Sequence, residues 1–363
     1  MLLAVSAGLS AQSVLECAAD THVSRKGDYL NGTTTLTDSG VWEWEIGSGN
    51  TYSNIQAITA LGLHHATKSL GNSDYYAMAT FDTTNLIVGR YNDDLITRPY
   101  APEVDLLMDA CEFDPMSSFL AKAPEDAGYC SIASSLYARV VGDYPSAAGN
   151  ADRYITNRGS LAGWDIAWHI RAAWRSGFHS YAIGMAEQTL ARRADWEHVI
   201  YSGWDFTNIS QGALAWVIIE MYNADAIGVA TYSDASLMLS GLQALQEPNG
   251  SWENDPQVTA YALLALRSDT NDYTIRHLAV VRGENYLENS ATVGDCGWSY
   301  PPEIGEVNSE VIMALALINS LPFADGFETE DTSAWSGEVG APFAPPALAP
   351  IRSVGMPHPQ VTR

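Results

Sequence analysis

The stretch 249-NGSWENDPQVTAYALLAL-266 decides the fold. A glycine turn delivers Trp252 and Glu253, and Val258, Tyr261, Ala262, Leu264 and Ala265 then follow at helical spacing. Four more stretches have the same order of turn, tryptophan and apolar helix: SGVWEWEIGSGNTYSNIQAITALGL (Trp42, Glu43), LAGWDIAWHIRAAW (Trp164, Asp165), YSGWDFTNISQGALAWVIIEMY (Trp204, Asp205) and DCGWSYPPEIGEVNSEVIMALALI (Trp298, with Ser299 in the acidic slot). Trp164, Trp204, Trp252 and Trp298 are spaced by 40, 48 and 46 residues, the length of a two-helix repeat. The 122 residues from Trp42 to Trp164 hold two degenerate copies. The expectation is an all-α chain of six or seven helical hairpins, with partner helices over 185–190, 236–245 and 275–286.

Stacked hairpins form either an open solenoid or a closed double ring. A solenoid needs polar capping repeats. Here the first unit (Ile55, Ala57, Leu61) and the last (Val311, Ala314, Leu315) are as apolar as those between. Closing the two on each other would cover both, so a ring is expected.

Gln246-Glu247-Pro248-Asn249-Gly250-Ser251-Trp252, preceded by LMLSGLQAL, resembles the QxxxGxW signature of the terpene cyclase and protein prenyltransferase superfamily. The resemblance implies an α/α toroid over about Trp42 to Leu321, a scaffold similar to that of several polysaccharide lyases. It speaks to scaffold rather than chemistry.

The chain has 363 residues, 47% of them hydrophobic and 10% aromatic, enough for one large core. With 18 basic and 43 acidic residues and a formal charge of −25, nucleic acid is an unfit partner. The three lysines are Lys26, Lys68 and Lys122. Such a surface is most simply a solubility or saline-environment trait, with Ca2+ binding as the lesser reading. Residues 1–16 open with MLLAVSAGLSAQS, a signal-like segment without a basic start. No other stretch reaches the ~18 apolar residues of a membrane span, and a secreted or periplasmic protein is expected. Residues 17–321 are assigned to the toroid. Residues 322–363 form an extension, acidic in FADGFETEDTSAWS and proline-rich in GEVGAPFAPPALAP.

Cys111 and Cys130, 19 residues apart, bracket a loop-like segment that a disulfide would staple. Ring closure would bring the remaining pair, Cys17 and Cys296, together. The prenyltransferase resemblance offers a competing use of Asp295-Cys296 as zinc ligands, but the one histidine beyond them is His358 in the tail. No metal site is assigned.

In a toroid the turns bring the starts of the inner helices to one mouth of a central funnel. Trp42, Glu43, Trp164, Trp168, Trp204, Asp205, Trp252 and Glu253 would then ring a glycan, aromatic faces stacking on sugars and carboxylates hydrogen-bonding hydroxyls. The bland alternative is that the tryptophans pack at repeat junctions and the acids favour helix starts through the macrodipole.

The richest segment is 154–175. Asp165, Trp168 and His169 stand at i, i+3 and i+4, and Tyr154, Asn157, Arg158, Arg171 and Arg175 lie close in sequence. A polysaccharide lyase needs a group that neutralises the uronate carboxylate, a base for the C5 proton and an acid for the leaving oxygen. Arg158 or Arg171, His169, and Tyr154 or Tyr261 suit those roles, with Asp165 beside them. The alternative is a satisfied buried network. A hydrolase would instead draw two carboxylates from Glu43, Asp165, Asp205 and Glu253. His64 and His65, at the far end of the first inner helix, receive no role. The cyclase acid motif DxDD and the diphosphate motif DDxxD do not occur, nor do G-x-S-x-G, a P-loop or a dinucleotide fingerprint. The lead expectation is a polysaccharide lyase, ahead of a carbohydrate-binding toroid and a terpenoid-processing enzyme.

Overall fold

The computed structural model describes residues 11–29, 42, 53–72, 75, 81–92, 96, 99–112, 128–271, 273–292, 296–298 and 305–319. The chain divides at Leu321 and Pro322 into two units, and all described residues lie in the first. Glu43, residues 1–10 and the extension 322–363 lie outside them.

The described residues are helical throughout, with no β-strand. In chain order the helices are α1 (Ala11–Tyr29), α2 (Ser53–Leu70), α3 (Phe81–Asn92), α4 (Ala101–Glu112), α5 (Tyr129–Asp143), α6 (Ala147–Arg158), α7 (Ala162–Arg175), α8 (His179–Ala191), α9 (Arg193–Trp196), α10 (Thr207–Asn223), α11 (Val229–Ala244), α12 (Pro256–Ser268), α13 (Tyr273–Ser290) and α14 (Gly305–Asn319). A 3-10 turn, Gly159–Leu161, joins α6 to α7. α1 starts at Ala11 and buries Val14 and Leu15. Residues 11–16 of the signal-like segment lie in this helix.

The contacts follow a cyclic order. α2 packs on α4, α4 on α7, α7 on α10, α10 on α12, α12 on α14, and α14 on α2. Each of these helices is covered by another: α1 lies on α14 and α2, α5 on α4, α8 on α7, α11 on α10 and α13 on α12. α2, α10, α12 and α14 contain the apolar spacings read after Trp42, Trp204, Trp252 and Trp298, and α7 carries the Trp164 segment, whereas α4 lies in the degenerate stretch between Trp42 and Trp164. α10 and α12 are buried along nearly their whole length, as expected for helices covered on all sides. Gly62 allows the contact that completes the cycle, since a Cβ there would collide with the Ser309 carbonyl on α14.

The QxxxGxW turn has a mechanical explanation. Gly250 has φ +94° and sits against Arg282, whose carbonyl oxygen occupies the space a side chain would need. Gln246 Nε2 donates to the carbonyls of Gly250 (2.9 Å) and Ala279 (2.8 Å), fastening the turn to α13. The Trp252 indole N–H donates to Leu242 O on α11 at 2.7 Å. Trp42 makes the same bond to His22 O on α1 (3.0 Å), Trp298 to Leu287 O on α13 (2.7 Å), and Trp196 to Thr189 O on α8 (3.1 Å). Each indole thus donates to a carbonyl of an earlier helix, and for Trp252, Trp298 and Trp196 that carbonyl lies in the last turn.

Disulfides join Cys17 to Cys296, with Cα atoms 5.8 Å apart, and Cys111 to Cys130, at 5.5 Å. The first ties α1 to the turn before α14, and the second ties α4 to α5. Cys296 is committed to its disulfide and cannot supply a zinc thiolate. Among the described residues no helix is long and apolar enough to cross a membrane.

Candidate functional site

The expected ring of sugar-stacking tryptophans does not form. Trp42 and Trp252 are 1% and 0% exposed and present no face to a ligand. Trp204 is 70% exposed, because Trp196 has taken the indole site of that repeat. The Tyr201 to Trp204 turn repeats the Trp252 to Asp255 turn, so Tyr201 matches Trp252 and the sequence pairing of the two tryptophans is three residues out of register. Two acids also sit differently from a helix first turn. Glu253 is within the tight turn at φ +59° and accepts from Asn208 Nδ2. Asp205 precedes the N-cap Phe206 of α10 and accepts from Thr207 N and Oγ1 at 2.9 and 2.6 Å, an Asx-type turn.

Helix α7 separates the groups that were expected together. At about 100° per residue, Trp164, Trp168, Arg171 and Arg175 share one stripe, while Asp165 and His169 lie a quarter-turn or more away. The stripe faces the other central helices. Tyr261 Oη accepts from Trp164 Nε1 (2.7 Å) and Trp168 Nε1 (3.1 Å) and donates to Glu310 Oε1 (2.6 Å). Trp168 meets Trp216 edge-on, with centroids 5.7 Å apart. Gln257 Nε2 donates to Glu310 Oε2 at 2.6 Å. Trp164, Trp168 and Tyr261 therefore form a hydrogen-bonded plug with every polar tip engaged. Burial pushes the Glu310 carboxyl well above its ordinary pKa, with Glu306 adding to the shift.

One turn further along, Arg171 pairs with Asp105 on α4 and Glu220 on α10 and stacks over Trp216. Arg175 pairs with Asp105 (2.7 Å), Asp109 (2.6 Å) and Glu112 (2.7 Å). Burial lowers the Arg171 pKa to about 10. Arg158 is elsewhere, bonded to Asp165 at 2.7 Å and stacked on Tyr201. Burial raises the Asp165 pKa, and Arg158 opposes the rise. Neither arginine neighbours His169, so neither fills the expected carboxylate-binding role beside it. Asn157 is exposed and spends its side chain on the Arg153 carbonyl.

His169 faces α6 instead. Its Nε2 lies 2.6 Å from Tyr154 Oη, and Tyr137 Oη donates to its carbonyl at 3.0 Å. His169, 9% exposed, forms part of the wall of a cavity of ≈ 240 Å³ shared with Tyr100, Asp143, Tyr144, Arg153 and Tyr154. The Arg153 guanidinium lies over the Tyr144 ring at 4.1 Å and the Tyr154 ring at 4.4 Å. His169 Nδ1 and Arg153 Nε are buried polar atoms without a hydrogen-bond partner. Burial, reinforced by Arg153, lowers the His169 pKa to about 4, and burial raises that of Tyr154 to about 12. The imidazole is thus neutral near pH 7 and positioned to exchange a proton with a phenol. Sequence reading missed Arg153, Tyr100 and Tyr144. Arg153 adjoins Tyr154 in sequence and was the one available signal.

Among the described residues no three His, Cys, Asp or Glu side chains gather as a metal site. No protein-family profile matches the chain, and no curated protein does.

Proposed function

We propose that the chain is an α/α toroid and a secreted polysaccharide lyase that works in the His169 cleft. The cyclic packing order of α2, α4, α7, α10, α12 and α14 supports the toroid. The two disulfides fit an oxidising compartment. One observation carries the activity: the 2.6 Å contact of Tyr154 Oη with His169 Nε2, in a cleft that Arg153 also lines.

In this reading Arg153 takes the carboxylate of a uronate residue and neutralises it, which lowers the cost of charge developing at C5. Tyr154 Oη accepts the C5 proton while its own proton passes to His169 Nε2. The C4–O4 bond breaks as the C4=C5 double bond forms. Tyr154 protonates the departing oxygen, and His169 returns its proton to Tyr154. Tyr100 and Tyr144 supply faces for the sugar.

The test is incubation with alginate, polygalacturonate and hyaluronate while following absorbance of unsaturated ends. Turnover of one of them is expected. Tyr154→Phe and Arg153→Ala should abolish it with the melting temperature little changed. If no polyuronate is cleaved, the lyase reading fails. A non-catalytic carbohydrate-binding toroid then leads, favoured by the exposure of Trp204.

A further inference from the structure

The larger cavity lies at the opposite end of the central helices, away from the tryptophan turns. It measures ≈ 700 Å³, and all six central helices reach it through their last turns: His65 and Lys68 from α2, Asp109 and Glu112 from α4, Arg171 and Arg175 from α7, Glu220 from α10, Arg267 from α12 and Leu317 from α14. Trp174 and Leu264 add apolar surface. In packing order the helix ends alternate in sign: basic on α2, acidic on α4, basic on α7, acidic on α10 and basic on α12. The basic members also suit helix C-termini, whose carbonyl dipoles favour cations.

We propose that this cavity binds an uncharged oligosaccharide, at a site distinct from the His169 cleft. Each basic residue of the lining already has a carboxylate partner: Lys68 with Asp109, Arg171 with Asp105 and Glu220, Arg175 with Asp105, Asp109 and Glu112, and Arg267 with Glu284. A charged ligand would have to displace one of those partners and leave it buried and unpaired. A polyol keeps the pairs intact, because each hydroxyl both donates and accepts and so can serve the carboxylates and guanidiniums together. His65 and Asp109 carry the second observation. Their side chains are 8% and 3% exposed, and Nε2 and Oδ2 stand 3.4 Å apart. Neither atom has a hydrogen-bond partner, which is the pairing one bridging hydroxyl would satisfy. Trp174 offers a stacking face, and the volume fits a ligand of about two or three sugar residues.

Titration calorimetry on the full chain with maltotriose and cellotriose tests this, with trigalacturonate as the charged comparator. Binding of at least one neutral trisaccharide is expected, with trigalacturonate not competing for it. Trp174→Ala should weaken binding by about tenfold, the loss of one aromatic face. Asn223→Ala, at the cavity rim, is a milder second variant that should also weaken it. His169→Ala, in the other cleft, should leave it unchanged. The proposal is overturned by three results: no heat with either neutral sugar, binding that survives both rim variants, or binding lost in His169→Ala alone. A chain that cleaves polyuronates and binds no neutral sugar would retain the lyase reading and lose this one.

Discussion

Trp196 Nε1 donates to the carbonyl of Thr189 at 3.1 Å, and this bond displaces Trp204 from the junction its sequence position suggests. Trp196 and Trp252 are fully buried, whereas Trp204 is mostly exposed. Trp252→Ala should therefore cost about 3–5 kcal/mol and Trp204→Ala less than about 0.5 kcal/mol. Urea denaturation of both variants checks this, and equal losses would contradict the assignment of the repeat register.

The two disulfides close loops of very different length, with sequence separations of 279 and 19 residues. Chain entropy assigns about 5.5 kcal/mol to the long loop and about 3 kcal/mol to the short one. Replacing Cys17 and Cys296 together by Ser should lower stability more than replacing Cys111 and Cys130. Calorimetric scans of the two double variants give the order directly.

Glu310 makes the fold sensitive to alkali. Its pKa is raised by burial above the ordinary 4.5. The folded chain therefore holds this proton more tightly than the unfolded chain. The associated stability is complete below about pH 4.5 and is lost as pH rises toward the folded-state value. Glu310→Gln, with Gln257 free to flip its amide, should raise stability near pH 7 by about 1 kcal/mol and flatten that part of the profile. A lower melting temperature for the variant at neutral pH would show that the carboxylate is needed in its charged form.

Buried imidazoles act in the opposite direction. Burial lowers His169 to about 4 and His64 to about 3 from 6.5, and lowers His65 strongly. Here the unfolded chain binds the proton more tightly. Their contribution is complete above about pH 6.5 and falls away as pH drops toward the folded values, by about 3 kcal/mol for His169 alone. Urea midpoints should fall steeply from pH 6.5 to 4.5, and less steeply in His169→Gln. A flat profile over that range would count against the burial of these rings.

The helices were legible because apolar spacing of 3.6 residues and glycine turns are local signals. The packing of α14 on α2 is in keeping with one sequence feature, end repeats as apolar as the middle ones. Which aromatic docks at a junction was not legible: Trp196 and Trp204 are both close enough in sequence, and only packing against α8 selects between them. Nor was the division of α7 into an inward stripe and the flank bearing His169. A difference of about 100° between Trp168 and His169 sends one into the packed cluster with Tyr261 and Trp216 and the other to a cavity wall, and sequence proximity conceals it. The cavity at the far helix ends unites residues from His65 to Leu317, so no sequence window contains it.

The packing of α14 on α2 also bears on how the chain is made. A linear array can fold repeat by repeat as it is synthesised, each new hairpin covering the last. Here the side of α2 around Gly62 waits for Ser309, so an apolar flank stays uncovered until almost all the central helices have emerged. Contacts separated this far in sequence also slow folding. The growing chain is thus most exposed to aggregation just before its last helix arrives, and a nascent chain truncated before α14 should be a strong client for holding chaperones.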